Sequence, residues 1–286
     1  MSKADLHMHS TASDGGYSPS DLMHKCKKAG LSIVSLTDHD STEGIAEAKE
    51  TASSLQITII NGIELSTKAQ NKNVHMLGYG IDINHQELQD VLAEQRILRE
   101  KRLHSILQKL KDVDISLKPE DVTKHTDGGS IGRPHIAKAL IEKGFVHNMD
   151  EAFAYYLAEG KPCYVEKAEE MTPLEAIQLI HRANGLAVVA HPVYYNLDNE
   201  IEQWIHHYHL DGVEIYHRDH NEETVLYYEE KMKIWEVQSG RKLLRTGGSD
   251  FHHEEYGRHP EPLGVSTISE RLALELLEAI PSRDKS

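Results

Sequence analysis

Cysteine is nearly absent from this chain. There are two in 286 residues, Cys26 and Cys163, and neither sits in a C-x-x-C pair. They allow one disulfide at most, which excludes a disulfide framework, and both read as reduced thiols of a cytoplasmic protein. No apolar run approaches the ~20 residues a membrane-spanning helix needs. The N-terminus also lacks the basic region and hydrophobic segment of a secretory leader. The chain therefore reads as soluble and unexported, with no membrane partner. Basic residues are outnumbered, 31 Lys and Arg against 46 Asp and Glu, for a net charge of -15. A broad surface for duplex DNA, which needs cations to displace counterions, is not expected. Short anionic substrates stay open, because bound divalent cations or a local Arg cluster reverse the potential inside a cleft. Low-complexity tracts are missing too, and the remaining composition, 39% hydrophobic and 27% charged, is ordinary for a globular protein. At this length it suits one α/β barrel or two smaller domains.

What the chain has in abundance is histidine, 20 in all. Some are surface residues, such as His206, His207 and His209 on one polar helix. Others stand where chemistry is done. In Asp5-Leu6-His7-Met8-His9-Ser10, an extended strand turns His7 and His9 to one face and Leu6 and Met8 to the other. Asp14 follows a short loop later. Two imidazoles and a carboxylate on one side of a strand end are the beginnings of a metal site.

The rest of the chain repeats this arrangement. Ser18-Pro19 opens a helix that stops near Gly30. The buried strand Leu31 to Leu36 ends in Thr37-Asp38-His39-Asp40, and the strand Ile57 to Ile63 ends at Glu64. Val74 to Tyr79 is a further strand, with His75 near its start. From about residue 85 the rhythm breaks into charged helix, interrupted by the loop Asp127 to His135 and closed by Gly160-Lys161-Pro162. After Thr172-Pro173 and a helix, strands return at 186–190, 212–216 and 242–246, the first ending in His191-Pro192 and the last leading into Gly248-Ser249-Asp250-Phe251-His252. Seven strands alternating with helices predict an α/β fold, a distorted seven-stranded (β/α) barrel with an open doubly wound sheet as the alternative. The expected organisation is a barrel of residues 1–96 and 166–286, with a helical insertion at 97–165 that forms part of the substrate site. In such folds chemistry sits at the C-terminal strand ends.

Collected from those ends, the candidate metal ligands are His7, His9, Asp14, His39, Glu64, His75, His191, Asp250 and His252. Imidazoles mixed with carboxylates suit Zn, Mn or Fe better than Mg or Ca, which favour all-oxygen shells. There are more ligands than one ion uses, so a cluster of two to three divalent ions is expected, with Glu64 as a bridge. Arg133, held at a helix start by Pro134, offers a planar fork to a phosphate beside helix N–H groups. Ser130, His135 and Lys161 are weaker candidates for the same role. Glu214 and Tyr216 read as core or supporting residues, His217 and His220 as surface or supporting ones, and His24, His104, His125, His147 and His181 as solvated.

Four of these segments, Asp5 to Ser10, Thr37 to Asp40, Ala190-His191-Pro192 and Gly248 to His252, resemble in order the four motifs of the PHP (polymerase and histidinol phosphatase) family. The resemblance spans both halves of the chain. It implies a distorted (β/α)7 barrel with a trinuclear site. One ion would take His7, His9, Glu64 and Asp250; a second Glu64, His75 and His191; a third Asp14, His39 and His252. Asp14, the insertion and the Gly132-Arg133-Pro134-His135 loop are similar to the branch of 3',5'-nucleotide bisphosphate phosphatases and RNase AM-like 5'-3' exoribonucleases. That branch implies a small phosphorylated nucleotide or short oligoribonucleotide as substrate, and Mn2+ foremost as the ion, with Fe2+ or Zn2+ as alternatives. The expected reaction is metal-assisted phosphoester hydrolysis, with Asp250 handling the proton of water and His191 or His252 protonating the departing oxygen. A histidinol-phosphate phosphatase and a non-catalytic structural or regulatory PHP module are the competing readings.

Overall fold

The computed structural model describes residues 3–126, 130–167, 171–255 and 261–281. The first half alternates strand and helix: β1 (Lys3–Asp5), α1 (Pro19–Lys28), β2 (Leu31–Leu36), α2 (Ile45–Leu55), then β3 (Thr58–Ala69) and β4 (Lys72–Tyr79). Helices follow: α3 (Gln86–Lys111), α4 (Pro119–Thr123), α5 (Arg133–Glu142) and α6 (Met149–Ala152), the last running into a π turn at Phe153–Leu157. The alternation resumes with α7 (Pro173–Arg182), β5 (Leu186–Val189), α8 (Asp198–Tyr208), β6 (Gly212–His217), α9 (Glu222–Ser239) and β7 (Leu244–Gly248). It closes with β8 (Ile268–Ser269) and α10 (Glu270–Ala279).

Local chemistry sets these boundaries. Ser18 caps α1 by accepting the Asp21 N–H, with Pro19 at the first helical position. Thr172 and Glu175 close a reciprocal capping box at the start of α7. The apolar run of β2 is buried along nearly its whole length, as a strand covered on both faces must be.

The strands form one sheet in the order β7-β6-β5-β4-β3-β2-β1-β8. Its ends approach each other: Leu6 N–H donates to Gly247 O at 3.1 Å, His9 N–H to Phe251 O at 2.9 Å, and Met8 bridges to Phe251. The result is the expected distorted barrel, nearly closed. Two features depart from the expectation. A two-residue eighth strand lies antiparallel on β1. The sheet is also not uniformly parallel, since β4 pairs antiparallel with both β3 and β5. β3 runs six residues past Ile63 and turns back through Gln70 and Asn71, both with positive φ (48° and 61°). Such a two-residue turn matches the twist of a tight hairpin.

Two apolar clusters divide the helical segment. The first turns of α3 pack on the barrel through Leu88 and Leu92. From Leu103 onward α3 joins a separate cluster with Leu140, Leu157 and Cys163. Residue 97, where the sequence placed the start of the insertion, lies inside α3, because one continuous helix serves both cores. Both cysteines are buried free thiols.

Candidate metal centre

The side chains of the site are delivered by strand ends at one mouth of the barrel. Leu6 and Met8 are buried in two different apolar clusters, which fixes the strand's facing and turns His7 and His9 together into the mouth. β2 delivers His39 and β3 delivers Glu64, and the two residues bridge in parallel. β4 runs the opposite way, so its beginning lies at this mouth and His75 arrives there, opposite Ser66. Asp250 and His191 follow β7 and β5 with φ of 49° and 24°. Left-handed backbone at a non-glycine residue costs about 1–3 kcal/mol and persists where the surroundings enforce it. Gly248 completes the frame, since a Cβ there would press on the His7 backbone N and lie 2.6 Å from Asp5 Oδ1.

Glu64 is the hub. Its Oε2 lies 3.2 Å from His7 Nε2, 3.2 Å from His9 Nε2 and 3.1 Å from His39 Nδ1. Its Oε1 lies 3.0 Å from His75 Nδ1 and 3.2 Å from His191 Nε2. Asp250 Oδ1 adds contacts of 3.4 Å to His7 and 3.1 Å to His9, and Asp14 Oδ1 sits 3.2 Å from His252 Nε2. Four overlapping groups among the described residues have ligand atoms close enough to share an ion: His7, His9, Glu64 and Asp250; His9, Asp14, His39 and His252; His39, Glu64 and His75; and His7, Glu214 and His217. His191 meets this set through Glu64.

Divalent cations fit this donor set. Although nitrogens and carboxylate oxygens stand 3.0–3.4 Å apart, His7 Nε2, both ring nitrogens of His9, His39 Nδ1, His75 Nδ1, Asp14 Oδ1 and Glu64 Oε2 are buried without an aligned hydrogen-bond partner. Buried polar atoms are almost always paired, so a concentration of orphans around common centres marks a donor set suited to cations. Electrostatics agree. Burial opposes ionisation of Glu64, yet the imidazoles of His39, His7 and His75 hold its carboxyl well below the usual range. Burial opposes Asp14 and Asp250 as well, and neighbouring imidazoles, His252 on the first and His7 on the second, hold both carboxyls low. Burial drives His39 down to about 3 and lowers His191, leaving both neutral. Around His7 and His9 the carboxylates outweigh burial, Glu214 and Glu64 raising the first and Asp250 and Glu64 carrying the second up to about 10, so cations binding there displace two protons.

A layer of hydrogen bonds orients the ligands. Buried Glu214 accepts from His7 Nδ1 at 2.9 Å and from the His191 N–H at 2.8 Å. This fixes His7 with Nε2 toward the cluster, the carboxylate–histidine arrangement common behind metal ligands. Tyr195 Oη accepts the His75 N–H and contacts His191 Nδ1, both at 2.9 Å. Asp38 holds Ser10 N–H, Ser10 Oγ and Ser13 Oγ, and Asp5 holds Ser249 N–H and Oγ. His217 is the residue the motifs passed over. It is buried, packed on His7 and His191, with Nε2 3.5 Å from Asp250 Oδ2 and Nδ1 accepting the Asp219 N–H. The signal for it was its place at the C-terminal end of β6, the rule that found the others. His220 is buried too, its Nδ1 on the Ile215 carbonyl, so neither is a surface residue. His24, His104 and His147 are exposed, whereas His125 and His181 are half-buried against Glu142 and Asp211.

Over the cluster lies a cleft of about 410 Å³, floored by His39, Glu64, His75, His191 and Asp250 and walled by Lys72, Tyr194 and Arg133. Arg133 donates to Leu157 O at 3.1 Å and rests against the rings of Phe153 and Tyr164. Arg99 ties α3 to the site through Asp40, Ser66 Oγ and Ile131 O. The other expected phosphate contacts differ. His135 is fully buried and its Nδ1 accepts the Gly132 N–H, capping α5 rather than facing solute. Ser130 is buried with its N–H on Ala12 O. Lys161 is exposed on a turn and does not line the cleft. Asp127, Gly128 and Gly129 of the same loop lie outside the described residues.

The PHP domain family model matches residues 5–234. The chain belongs to the PHP domain family. Its relatives include a 5'-3' exoribonuclease of Haemophilus influenzae, 40% identical over 68% of this chain and 70% of that one. The 5'-3' exoribonuclease Rnm of Escherichia coli is 35% identical over 87% and 84%. A 3',5'-nucleoside bisphosphate phosphatase of Chromobacterium violaceum is 32% identical over 88% of each. Among solved structures, an amidohydrolase of C. violaceum with bound sulfate and no metal superposes with a TM-score of 0.79 at 30% identity, covering 93% of this chain and 91% of that one. A solved structure from Bifidobacterium adolescentis, described as a putative metal-dependent phosphoesterase, superposes with a TM-score of 0.86 at 28% identity, covering 98% of this chain and 97% of that one. With these relatives, the PHP chain is a metal-dependent phosphoester hydrolase. Among the described residues no helix is long and apolar enough to cross a membrane.

Proposed function

We propose that this PHP enzyme removes the 3'-phosphate of a 3',5'-nucleotide bisphosphate and shortens 5'-phosphorylated RNA from its 5' end, using two to three divalent ions with Mn2+ foremost. The observation that carries the reading is the set of overlapping ligand groups joined by Glu64 beneath a cleft that Arg133 walls. His7, His9, Glu64 and Asp250 would hold one ion, Glu64, His75 and His191 a second, and Asp14, His39 and His252 a third. Divalent ions there make hydroxide available near neutral pH and offset charge on the phosphoryl oxygens.

The chain's own groups do the rest. Asp250 stays ionised, and its Oδ2, on the His217 side, accepts and orients the proton of the attacking water. With two ions bound and the third position free, His252 at the cluster's edge would supply the proton for the departing ribose oxygen. His191 lines the cleft but is kept neutral by burial, with Nδ1 on Tyr195 and Nε2 toward Glu64. Arg133, steadied by Leu157 O and two aromatic rings, binds the second phosphate and sets which end enters the cluster. The helical segment carrying it thereby forms one wall of the substrate site.

Phosphate release from adenosine 3',5'-bisphosphate, a 5'-phosphorylated oligoribonucleotide and histidinol phosphate, each with Mn2+, tests the reading. Turnover of the first two over the third is expected, and no release from any of them would return the chain to a non-catalytic role. Arg133→Ala should cut the preference for bisphosphate over monophosphate by about 10-fold or more, the worth of one charge-assisted hydrogen-bonded pair. An unchanged preference would remove Arg133 from the site.

A further inference from the structure

β6 ends in His217, and the chain turns sharply there. The His220 N–H donates to His217 O at 2.9 Å, and His220 Nδ1 lies 2.7 Å from Ile215 O. Inside the turn the Asp219 N–H donates to His217 Nδ1 at 3.1 Å. Tyr194, on the wall of the cleft, donates through Oη to the Asp219 carboxylate and holds the turn from outside. The His217 ring is 4% exposed, packed between His191 and His220 with centroids 5.3 Å and 5.4 Å away.

That turn sets which nitrogen carries the proton. A neutral imidazole has one bare nitrogen and one N–H. The Asp219 backbone N–H can only donate, so Nδ1 is the bare nitrogen and Nε2 is protonated. A protonated Nε2 cannot ligate an ion; it can only give a hydrogen bond. It is buried without an aligned partner among the described residues, 3.5 Å from Asp250 Oδ2. Buried donors are almost always paired, and this carboxylate oxygen is within reach. The ligand spacing of His7, Glu214 and His217 does not make them a further ion site. Glu214 spends one oxygen on His7 Nδ1 at 2.9 Å and the other on the His191 N–H at 2.8 Å. His7 presents Nε2 to the cluster, and an ion on Nδ1 as well would strip its last ring proton.

We propose that His217 is a positioning residue for Asp250, its Nε2–H holding Oδ2 so that Oδ1 faces the ion. The two carboxylate oxygens already divide in this way. Oδ1 lies 3.4 Å from His7 Nε2 and 3.1 Å from His9 Nε2, at the centre they share with Glu64, while Oδ2 turns to His217. Each carboxylate oxygen has two acceptor sites, so the His217 N–H and the proton of the attacking water share Oδ2. Without the donor, both oxygens can swing onto the ion and Oδ2 is lost to the water. The role deepens the one given to Asp250 above and holds whichever phosphoester is cleaved.

His217→Phe keeps a buried ring and removes the donor, whereas His217→Gln returns an N–H close to the place of Nε2. In the phenylalanine variant, chelator competition should show Mn2+ bound about 10–100-fold more weakly, the usual loss behind a metal ligand. Elemental analysis at saturating Mn2+ should still count as many ions per chain as in the wild type. The glutamine variant should recover most of the lost affinity. On whichever substrate the wild type turns over, His217→Phe should lower kcat by about 10-fold or more and leave KM nearly unchanged. If the wild type turns over none, the proposed substrates fail while the ion measurements still decide for or against His217. Long-range 1H–15N correlation on the Zn2+-loaded wild type should show His217 bare at Nδ1 and protonated at Nε2, its peaks identified by their loss in His217→Gln. Should the phenylalanine variant lose its circular dichroism signal, the glutamine variant and this spectrum decide. One ion fewer per chain in either variant would make His217 a ligand and overturn the proposal. So would an unprotonated Nε2, wild-type affinity in His217→Phe, or a glutamine variant as weak as the phenylalanine one.

Discussion

Replacing Glu214 by glutamine preserves volume and shape while removing the one group that fixes His7. The carboxylate accepts twice, from His7 Nδ1 at 2.9 Å and from the His191 N–H at 2.8 Å, in a fully buried place. A glutamine has one accepting oxygen. With that oxygen toward the His191 N–H, the amide NH2 faces His7 Nδ1, which must then accept. The ring proton moves to Nε2, the atom that should be a bare lone pair toward an ion. Turned the other way, the NH2 opposes the His191 N–H and a buried donor is left unpaired. The first orientation keeps both hydrogen bonds but puts the His7 proton on the wrong nitrogen, and the second loses one bond. Either change behind a ligand weakens metal affinity about 10–100-fold, or ~1.4–2.7 kcal/mol. Competition with a chromophoric chelator at pH 7.5, alongside elemental analysis after stepwise dialysis, measures this directly, with circular dichroism to show the fold is kept. A glutamine variant that holds its ions within twofold of wild type would refute the tautomer argument and reduce Glu214 to a packing residue.

Stripping divalent ions with a chelator should lower the melting temperature by about 5 °C or more, since a ligand at 100 times its Kd stabilises by ~2.7 kcal/mol; scanning fluorimetry before and after Mn2+ is restored checks it. Gly248→Ala should cost about 1–3 kcal/mol in urea denaturation and also loosen ion binding, because the added methyl has only the His7 backbone and the Asp5 carboxylate to displace. Arg245→Met should destabilise by about 1–2 kcal/mol at pH 7, through loss of its 2.8 Å and 3.1 Å pairs with Glu236 and Glu229. Arg245 holds the Glu236 carboxyl below its usual value, so this stabilisation is present above the unfolded pKa of ~4.3 and fades as pH falls through the folded one. The gap between wild type and variant should therefore close below about pH 4, and a gap that widens there would contradict the pairing.

His7 and His9 were readable because a strand has a period of two and because the intervening Leu6 and Met8 had to be buried. His39, Glu64 and Asp250 were readable because apolar strands ended in them. The reversal of β4 was not. Its turn, Gln70-Asn71, lacks the glycine that usually marks a tight hairpin, and β3 past Glu64 is polar enough to pass for loop. His217 shares its neighbours' burial and place at a strand end, but only packing shows that its ring rests on His7 and His191. His135 fell the other way. The helix start at Arg133-Pro134 was legible, yet a histidine in the first turn of a helix faces core or solvent according to what packs there, and here it is buried with Nδ1 taken by the Gly132 N–H.

The reversed strand also explains how one mouth collects so many ligands. In a uniformly parallel barrel each strand contributes its end, and the start of every strand lies at the far side. With β4 turned round, β3 and β4 meet the mouth as a hairpin, so Glu64 and His75 come from neighbouring strands within 3.0 Å. That proximity lets a single carboxylate touch five imidazoles. It also concentrates negative charge: Asp14, Glu64 and Asp250 are all held ionised. Two like charges 4 Å apart repel by about 4 kcal/mol at an effective dielectric of 20, so the three carboxylates oppose a phosphate that Arg133 and Lys72 on the cleft walls draw in. Divalent ions reverse that balance. Loading the centre would therefore favour the entry of an anionic substrate as well as its hydrolysis, which suits a chain of net charge -15 to a phosphorylated substrate.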